Sequence, residues 1–294
     1  MLLWVIVPDK NKVLTVAHKN FVAFLQKQGK ASATILAYGK DIEQLVEFLG
    51  KKQITQVASV TLELIEDFKE YLGDNNYTAK SISRKLNSIK TFFRFLKSEG
   101  LIENNPAEGV PHPKYETKPP RIFSKMEYRA LRDVARDDPR MAAVIEILLQ
   151  TGVRIGELAR LNLNDISEKE IKIKAFESHS ARIIPFNQAA KKAFDRYLNV
   201  RPKTKTKNVF VTKTGRPLLV RNIRAIIDRY FKAAGIKNAT VNSLRHTFIA
   251  QQLMGGVSVV LVQKLVGHKR LSTTEKYLDL VKNKVEETVK LEEL

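Results

Sequence analysis

Apolar residues recur at three- and four-residue steps through the N-terminal third of the chain, and this spacing is typical of amphipathic helices. Four segments have it: 20–28, 33–50, 61–72 and 79–99. Ser32 is the predicted N-cap of the second segment. The fourth is apolar on one side and basic on the other, so its basic side is available to an anionic partner. That side holds Lys80, Arg84, Lys85, Lys90 and Arg94.

A proline-rich stretch ends this helical part. Residues 106–121 contain five of the chain's ten prolines. Proline lacks a backbone donor and restrains the residue before it, so the stretch is predicted to be a stiff, extended linker. We therefore expect two domains, 1–113 and 114–294, with residues 282–294 as a polar and acidic tail.

The second domain mixes two periodicities. Residues 139–150 are predicted to form a buried helix that stops at Gly152. Alternating patterns predict strands at 170–176 and 181–186 around a turn, and a further strand and turn at 208–218. Helical spacing then continues to the C-terminus. The predicted fold class is mostly α with a small β-sheet.

A histidine follows a predicted helix end near the C-terminus. The helix has Ser258 as its N-cap and Gly267 as the residue that ends it. His268 therefore lies beyond the helix and not on its apolar face. The alternative is an ordinary surface or capping histidine.

The next helix is predicted to begin with a capping box, in which Ser272 caps the helix and Glu275 reaches back. Tyr277 would lie in the second turn of a helix that starts at about Thr273. On one unbroken helix, His268 and Tyr277 would point in roughly opposite directions at about 100° per residue. The predicted break lets their side chains converge. The alternative for Tyr277 is a half-buried aromatic residue.

The amino-acid composition limits the kinds of partner and the chemistry that we expect for this protein. Lys and Arg number 51 against 31 Asp and Glu, a net charge of +20, which favours a polyanion such as nucleic acid. The chain has no cysteine, which excludes disulfides and thiolate chemistry. No signal peptide or membrane span is predicted, so we expect a soluble intracellular protein.

Two further segments place arginine at predicted helix starts. In TGVRIGEL, Arg154 follows the glycine stop, where a guanidinium and free amides suit a phosphate. The alternative is a salt bridge to Glu157 or Asp165. In NSLRHTF, the spacing of the apolar residues leaves Arg245 and His246 to project away from the core. The alternative is a pair of solvated polar residues.

Taken in order, these motifs resemble the tyrosine recombinase (phage integrase) family, in particular its Xer-like, two-domain site-specific recombinases. The order is TGxRxxEL, a β-hairpin, LRHTF, LxGH and STTxxY, and ISRKLNSIKTFFRFLKSEG is typical of the core-binding domain. The resemblance covers nearly the whole chain. It implies an N-terminal helical core-binding (SAM-like) domain and a C-terminal mixed α/β catalytic domain.

The resemblance also implies roles for residues. Arg154 and Arg245 match the arginines that clamp the scissile phosphate, and His268 matches the histidine that hydrogen-bonds a phosphate oxygen. Tyr277 matches the nucleophile, and Glu157 matches an acidic residue that supports the site. The implied reaction cleaves and rejoins DNA through a covalent 3′-phosphotyrosyl intermediate, with no metal or other cofactor.

Two positions depart from the family pattern. Asn242 stands where the family has histidine or lysine, and an amide cannot accept the tyrosine's proton, so His246 or a water is the alternative. The family also has a lysine at the hairpin turn, whereas the turn here is AFESHSAR. The nearest candidates are Lys174 before the turn, which is our candidate catalytic residue, and His179 within it.

The resemblance implies double-stranded DNA with an inverted-repeat site as the partner, bound by a homo-oligomer, a tetramer of two dimers. The tail at 282–294 would dock on a neighbouring protomer, or else be frayed. Arg221 and Arg224 are expected to contact DNA together with the basic helix. A cytoplasmic, nucleoid-associated protein is expected. Two alternatives are an inactive DNA-binding protein on the recombinase scaffold and a type IB topoisomerase.

Overall fold

The computed structural model describes residues 12–285, with the backbone alone for 282–285. The chain divides into two compact units, with the boundary between Thr117 and Lys118. That boundary falls inside the proline-rich stretch at 106–121. Among the described helices, none is both long and apolar enough to cross a bilayer.

The first unit is helical, as the apolar spacing predicts. Thr61 and Thr78 cap the third and fourth helices, because their hydroxyls accept hydrogen bonds from Leu64 N and Ser81 N. Ser32 is the first helical residue of the second helix and not its N-cap, which is Ala31. The helices are α1 (Leu14–Lys27), α2 (Ser32–Lys51), α3 (Leu62–Asp74) and α4 (Ala79–Ser98).

Helix α1 starts earlier than the predicted residue 20 because its apolar face extends backwards. Leu14 and Ala17 are fully buried and continue the line of Phe21 and Leu25. Phe21 packs edge-to-face on Phe92 of α4, with ring centroids 5.3 Å apart. Aromatic contacts of this kind hold α1 against α4.

The second unit consists of helices around one short hairpin. Strands β1 (Glu170–Ile173) and β2 (Arg182–Pro185) pair antiparallel, with Ile171 opposite Ile184. The helices are α5 (Lys125–Ala135), α6 (Pro139–Thr151), α7 (Ile155–Arg160), α8 (Gln188–Val200), α9 (Val220–Ala233), α10 (Val241–Met254), α11 (Val259–Val266), α12 (Ser272–Glu275) and α13 (Leu278–Val285).

Helix α6 is the centre of this unit. Asp138 caps it by accepting from Met141 N, and Gly152 ends it in the left-handed conformation with φ of 61°. Its side chains are buried almost all round, and it packs against α8 and α10. The predicted helix and its glycine stop are therefore confirmed.

The strand predicted at 208–218 does not form within the part of the chain that the structure describes. Val209 and Phe210 are buried, as a strand would bury them. Their backbone pairs with loops instead: Val209 N donates to Leu161 O, and Leu218 N donates to Phe210 O. Burial and ladder pairing are separate properties, and the apolar pattern reports only burial.

The capping box predicted at Ser272 and Glu275 is wrong. Ser272 is already helical, and the N-cap is Leu271, which makes no side-chain capping bond. The predicted break between His268 and Tyr277 is confirmed, because α11 ends at Val266 and the next helix starts at Ser272. A second break follows Glu275, so Tyr277 lies between α12 and α13 and not in the second turn of the new helix. By contrast, the predicted Ser258 cap and the Gly267 end of α11 are both confirmed.

The end of α6 leaves no room for a side chain at Gly152. A Cβ there would clash with Cδ1 of Phe248, at a positive φ. Gly235 also has a positive φ, of 68°, but a Cβ there would meet nothing within 4 Å. We expect Gly235→Ala to lower the free energy of unfolding by about 1–2 kcal/mol from backbone strain alone. Gly152→Ala should lose a further 1–3 kcal/mol, roughly, by displacing Phe248.

Urea unfolding of the two variants beside the wild type measures this difference. Equal losses for both would show that Phe248 moves aside freely and that the contact does not constrain the end of α6.

Candidate active site

Two arginines are held by the carbonyl ends of two helices. Arg245 donates from Nη1 to Gly152 O at the end of α6 and from Nη2 to Val266 O, 2.7 Å away, at the end of α11. Arg154 donates from Nη2 to Gly267 O over 2.8 Å. The last carbonyls of a helix lack partners in the helix and carry its partial negative charge. The two helix ends thus fix both guanidiniums in one place.

A buried carboxylate connects these arginines to the hairpin. Glu157 accepts from Arg154 Nη1 at 3.0 Å and from Arg154 N at 2.8 Å. It also accepts from both terminal nitrogens of Arg182 on β2, at 2.8 and 2.6 Å. Burial acts to raise the pKa of Glu157, but Arg182 and Arg154 lower it to about 2. The salt bridge considered for Arg154 therefore exists and belongs to the site.

Arg182 is a site residue that the sequence reasoning did not identify. It lies on the same face of β2 as the buried Ile184, because alternate strand residues share a face. Its Nε donates to Leu265 O over 2.8 Å, which ties the hairpin to α11. An arginine on the buried face of a short strand needs a carboxylate, and that pattern was available in the sequence.

Arg245 is buried, with 7% of its surface exposed, although the sequence predicted that it projects from the core. Burial and the neighbouring Arg154 lower the pKa of Arg245 to about 9, so it remains protonated at neutral pH. Three guanidiniums therefore gather around the buried Glu157. This excess of positive charge favours an anion in the adjoining cleft.

His268 lies directly after α11. Its Nδ1 is 2.9 Å from the hydroxyl oxygen of the buried Thr274. Burial, Arg245 and Arg154 together lower the pKa of His268 to about 4, so the ring is neutral at neutral pH. When Nδ1 accepts from the hydroxyl, Nε2 carries the proton and becomes a hydrogen-bond donor.

Tyr277 is buried, with 6% of its surface exposed, in a cluster that includes Phe248 and Val262. Burial raises the pKa of Tyr277, and Arg245 acts against this increase. The ring of His246 meets the ring of Tyr277 edge-on, with centroids 6.0 Å apart. Burial and Arg245 lower the pKa of His246, and its Nδ1 has no hydrogen-bond partner in the described structure.

One cleft of about 500 Å³ brings together all the predicted catalytic and supporting residues except Lys174. Asn242 lies exposed at its edge. The predicted residues that line it are Arg154, Glu157, Asn242, Arg245, His246, His268 and Tyr277. His179, Arg160 and Phe176 line it as well.

Lys174 is not among the residues that line this cleft. Its Nζ pairs with Asp165 Oδ1 at 2.7 Å, and 67% of its side chain is exposed. It borders a different cavity, beside Lys172 and Phe176. Across the residues that the structure describes, no group of three or more His, Cys, Asp or Glu side chains could hold a metal ion.

Two family models match the chain. The model of the phage integrase family matches residues 121–284, and the model of the phage integrase N-terminal SAM-like domain matches residues 19–100. The chain belongs to the phage integrase family. As a tyrosine recombinase it is an enzyme, and the predicted fold class is confirmed, with a SAM-like N-terminal domain and an integrase catalytic domain.

Curated relatives of this recombinase span both domains. Tyrosine recombinase XerC of Natranaerobius thermophilus is 32% identical over 275 residues, covering 88% of this chain and 92% of the relative. Tyrosine recombinase XerD of Rickettsia bellii is 30% identical over 281 residues, covering 88% and 92%. These matches place the recombinase among the Xer-like members of its family.

Solved structures agree with this fold. The XerA recombinase crystal structure is 26% identical, with a TM-score of 0.53 over 94% of this chain and 99% of that one. A lambda integrase dimer bound to a COC′ core site is 19% identical, with a TM-score of 0.76 over 96% and 80%. At that identity the second likeness concerns the fold alone.

The residues predicted to contact DNA differ in their surroundings. Lys80, Arg221 and Arg224 are exposed, and Lys90 donates to Glu108 O over 3.2 Å. Arg84 pairs with Asp41 through a half-exposed side chain. These positions remain predictions, since the structure contains no DNA.

Lys85 requires a correction, because it is buried and absent from the exposed basic side of α4. Its Nζ donates to Asp41 Oδ1 at 3.0 Å and to Gln44 Oε1 at 2.7 Å. Its spacing along α4 resembles that of its exposed neighbours, but it lies over the buried Asp41 on α2. Lys85 therefore stabilises the helical unit.

Replacing Lys85 should accordingly affect folding. We expect Lys85→Met to lower the free energy of unfolding by about 1–3 kcal/mol, because Asp41 loses a charged donor while buried. Lys80→Met, on the exposed side of the same helix, should change it by less than about 0.5 kcal/mol. Urea unfolding measures both, and equal effects would contradict the buried ion pair.

Glu157 should control both stability and its pH dependence. We expect Glu157→Gln to lower the free energy of unfolding by about 3–5 kcal/mol at pH 7, because Arg182 is left buried without its counter-charge. The folded-state pKa of Glu157 is lowered from 4.5 to about 2, so its contribution is complete above about pH 4.5 and is lost as the pH falls towards 2. The difference in the free energy of unfolding between the variant and the wild type should therefore become smaller over that pH range.

Urea unfolding at a series of pH values tests this expectation. Glu168→Gln is the matched control, since 85% of that side chain is exposed. Its free energy of unfolding should differ little from that of the wild type at every pH. A Glu157→Gln difference that stays constant down to about pH 2 would contradict the lowered pKa.

Proposed function

We propose that this recombinase cleaves and rejoins DNA at a specific site through a covalent 3′-phosphotyrosyl bond to Tyr277. The observation that carries the proposal is a single cleft in which Tyr277 lies with Arg154, Arg245 and His268. A tyrosine in a cleft rich in fixed cationic donors suits attack on a phosphodiester.

The arginines suit the transition state because they are fixed before DNA binds. Attack by Tyr277 Oη on phosphorus increases the negative charge on the non-bridging oxygens. Arg154 and Arg245 already hold their positions on the ends of α6 and α11. Donors that need not rearrange during the reaction provide the largest part of many enzymes' rate enhancement. His268 adds a neutral donor to the same phosphate.

His246 is the proposed acceptor of the phenol proton. Burial and Arg245 lower the pKa of His246, so its ring is neutral at neutral pH and able to accept a proton, directly or through one water. Its ring is the imidazole next to Tyr277. Asn242, at the edge of the cleft, is assigned a hydrogen bond to a phosphate oxygen and not base catalysis.

The proposed chemistry uses no metal ion or other cofactor. The guanidiniums neutralise the charge that a metal would otherwise neutralise, and the phosphotyrosyl bond retains the energy needed to rejoin the strand. The division into a DNA-binding domain at 1–113 and a catalytic domain at 114–294 is part of the same proposal.

We further propose a tetramer of two dimers on an inverted-repeat duplex. Lambda integrase has been seen as a dimer bound to a core site and as a tetramer bound to a Holliday junction. The net charge of +20 suits a duplex, with Lys80, Arg84, Lys90, Arg221 and Arg224 as contacts to phosphates. The predicted docking of the tail on a neighbour concerns residues 286–294, which lie outside the described residues, and the side chains just before them.

A suicide substrate tests the reaction. Nicked duplexes with randomised inverted-repeat arms lose a short fragment after cleavage, which traps any covalent adduct. We expect the wild type to select a subset of sequences and to form an adduct that survives denaturing electrophoresis. Tyr277→Phe should form none, because the nucleophilic oxygen is missing. Tyr230→Phe, which removes a hydroxyl bonded to Asp138 instead, should form it normally.

Other outcomes would contradict the proposal. Salt-sensitive binding to the selected duplexes without any adduct would indicate a non-catalytic DNA-binding protein. Relaxation of supercoiled plasmids regardless of sequence would indicate a topoisomerase. An undiminished adduct with Tyr277→Phe would identify a different nucleophile.

A further inference from the structure

The turn between β1 and β2 directs one histidine towards the cleft. Phe176 N donates to His179 O at 3.0 Å and His179 N donates to Phe176 O at 2.9 Å, which closes a two-residue turn. Glu177 has a φ of 50°, as tight hairpin turns require at this position. Of residues 174–180, His179 alone is partly buried, and the others are exposed.

Helix α7 anchors this turn. The guanidinium of Arg160, at the end of α7, lies 3.6 Å from the ring centroid of Phe176. A guanidinium stacked on an aromatic face is held by both charge and contact area. Helix α7 begins directly after Arg154, so the contact fixes the turn relative to the arginine that lines the cleft. The β1–β2 turn and its contact with α7 therefore hold His179 at the cleft.

Displacement at phosphorus needs a proton donor for the leaving oxygen, since an alkoxide is a poor leaving group. Lys174 does not line the cleft, and Glu157 is held by two arginines. His268 is bonded to Thr274, and His246 lies beside Tyr277. His179 lines the cleft and also the adjoining cavity that Arg154, Arg182 and His268 border.

We propose that His179 is the general acid that protonates the 5′ oxygen displaced by Tyr277. This inference rests on the proposed function. In the step, the bond from Tyr277 Oη to phosphorus forms and the bond from phosphorus to the 5′ oxygen breaks. The 5′ oxygen takes the electron pair and a proton from the His179 imidazolium, while His246 accepts the phenol proton. Rejoining reverses each transfer.

Bound DNA would change the balance of charges around His179. Burial, Arg154, Lys269 and Arg182 lower the pKa of His179, and Glu157 acts in the opposite direction. A phosphodiester bound to the same arginines adds negative charge beside the ring and favours the imidazolium. An acid whose pKa lies near the working pH transfers its proton most effectively.

Substituting sulfur for the 5′ bridging oxygen at the scissile position tests the proton transfer. A thiolate needs no protonation to leave, because a thiol, with a pKa of about 8.5, is a far stronger acid than an alcohol. We expect His179→Gln to slow adduct formation on the oxygen substrate by about 10²–10⁴-fold. On the sulfur substrate it should match the wild type within about threefold, an allowance for measurement.

Two control variants sharpen the test. Lys174→Met should match the wild type on both substrates, since Lys174 lies outside the cleft. Tyr277→Phe should be inactive on both, because sulfur replaces only the leaving atom. Unfolding of His179→Gln should resemble that of the wild type, so a loss restored by sulfur cannot result from misfolding.

Three results would overturn the inference. His179→Gln could lose activity equally on both substrates, which would indicate a positioning role, or lose none on the oxygen substrate. Lys174→Met could form the adduct slowly on the oxygen substrate and normally on the sulfur substrate, which would identify Lys174 as the general acid. A wild type that forms no adduct on either substrate contradicts the proposed function itself, and the role of His179 with it.

Discussion

The ion pairing of Glu157 is the constraint on which the rest of the site depends. This carboxylate lies in the first turn of α7 and is buried. It accepts from Arg154, the N-cap of the same helix, and from Arg182 on β2. Burying two guanidiniums without a counter-charge would cost several kcal/mol, roughly. Glu157 therefore makes it possible to bring the helix and the hairpin together. The positive charge that remains, chiefly on the buried Arg245, favours an anion in the cleft.

The C-terminal ends of two helices also position the arginines of the site. Glycine ends both α6 and α11 in the left-handed conformation, which leaves the carbonyls of Gly152, Val266 and Gly267 free to accept from the arginines. Phe248 packs against Gly152 and belongs to the same apolar cluster as Tyr277. The arginines and the tyrosine are thus positioned by one set of contacts, so a defect at the end of α6 should reach the chemistry as well as the stability.

Apolar spacing predicted most of the helices because it records which side chains a helix must bury. It also located His268, since a glycine after an apolar face is a reliable helix end. The same reasoning failed where a pattern fits two structures. The sequence STTE allows a capping box, yet Ser272 is already helical, and Thr274 bonds to His268. Lys85 has the same spacing along α4 as the exposed basic residues, yet it is buried because it pairs with Asp41 on α2.

The sequence by itself determined the helical first domain, the mixed second domain and the set of arginines, histidines and tyrosine, because local periodicity and residue chemistry are properties of short segments. Only the tertiary structure decided which of these groups meet. Arg182 is 25 residues from Glu157, and Arg245 is 93 residues from Gly152. Lys174 and His179 stand five residues apart in one hairpin, yet one pairs with Asp165 and the other lines the cleft. Such contacts depend on how separate elements pack, and no short segment records that packing.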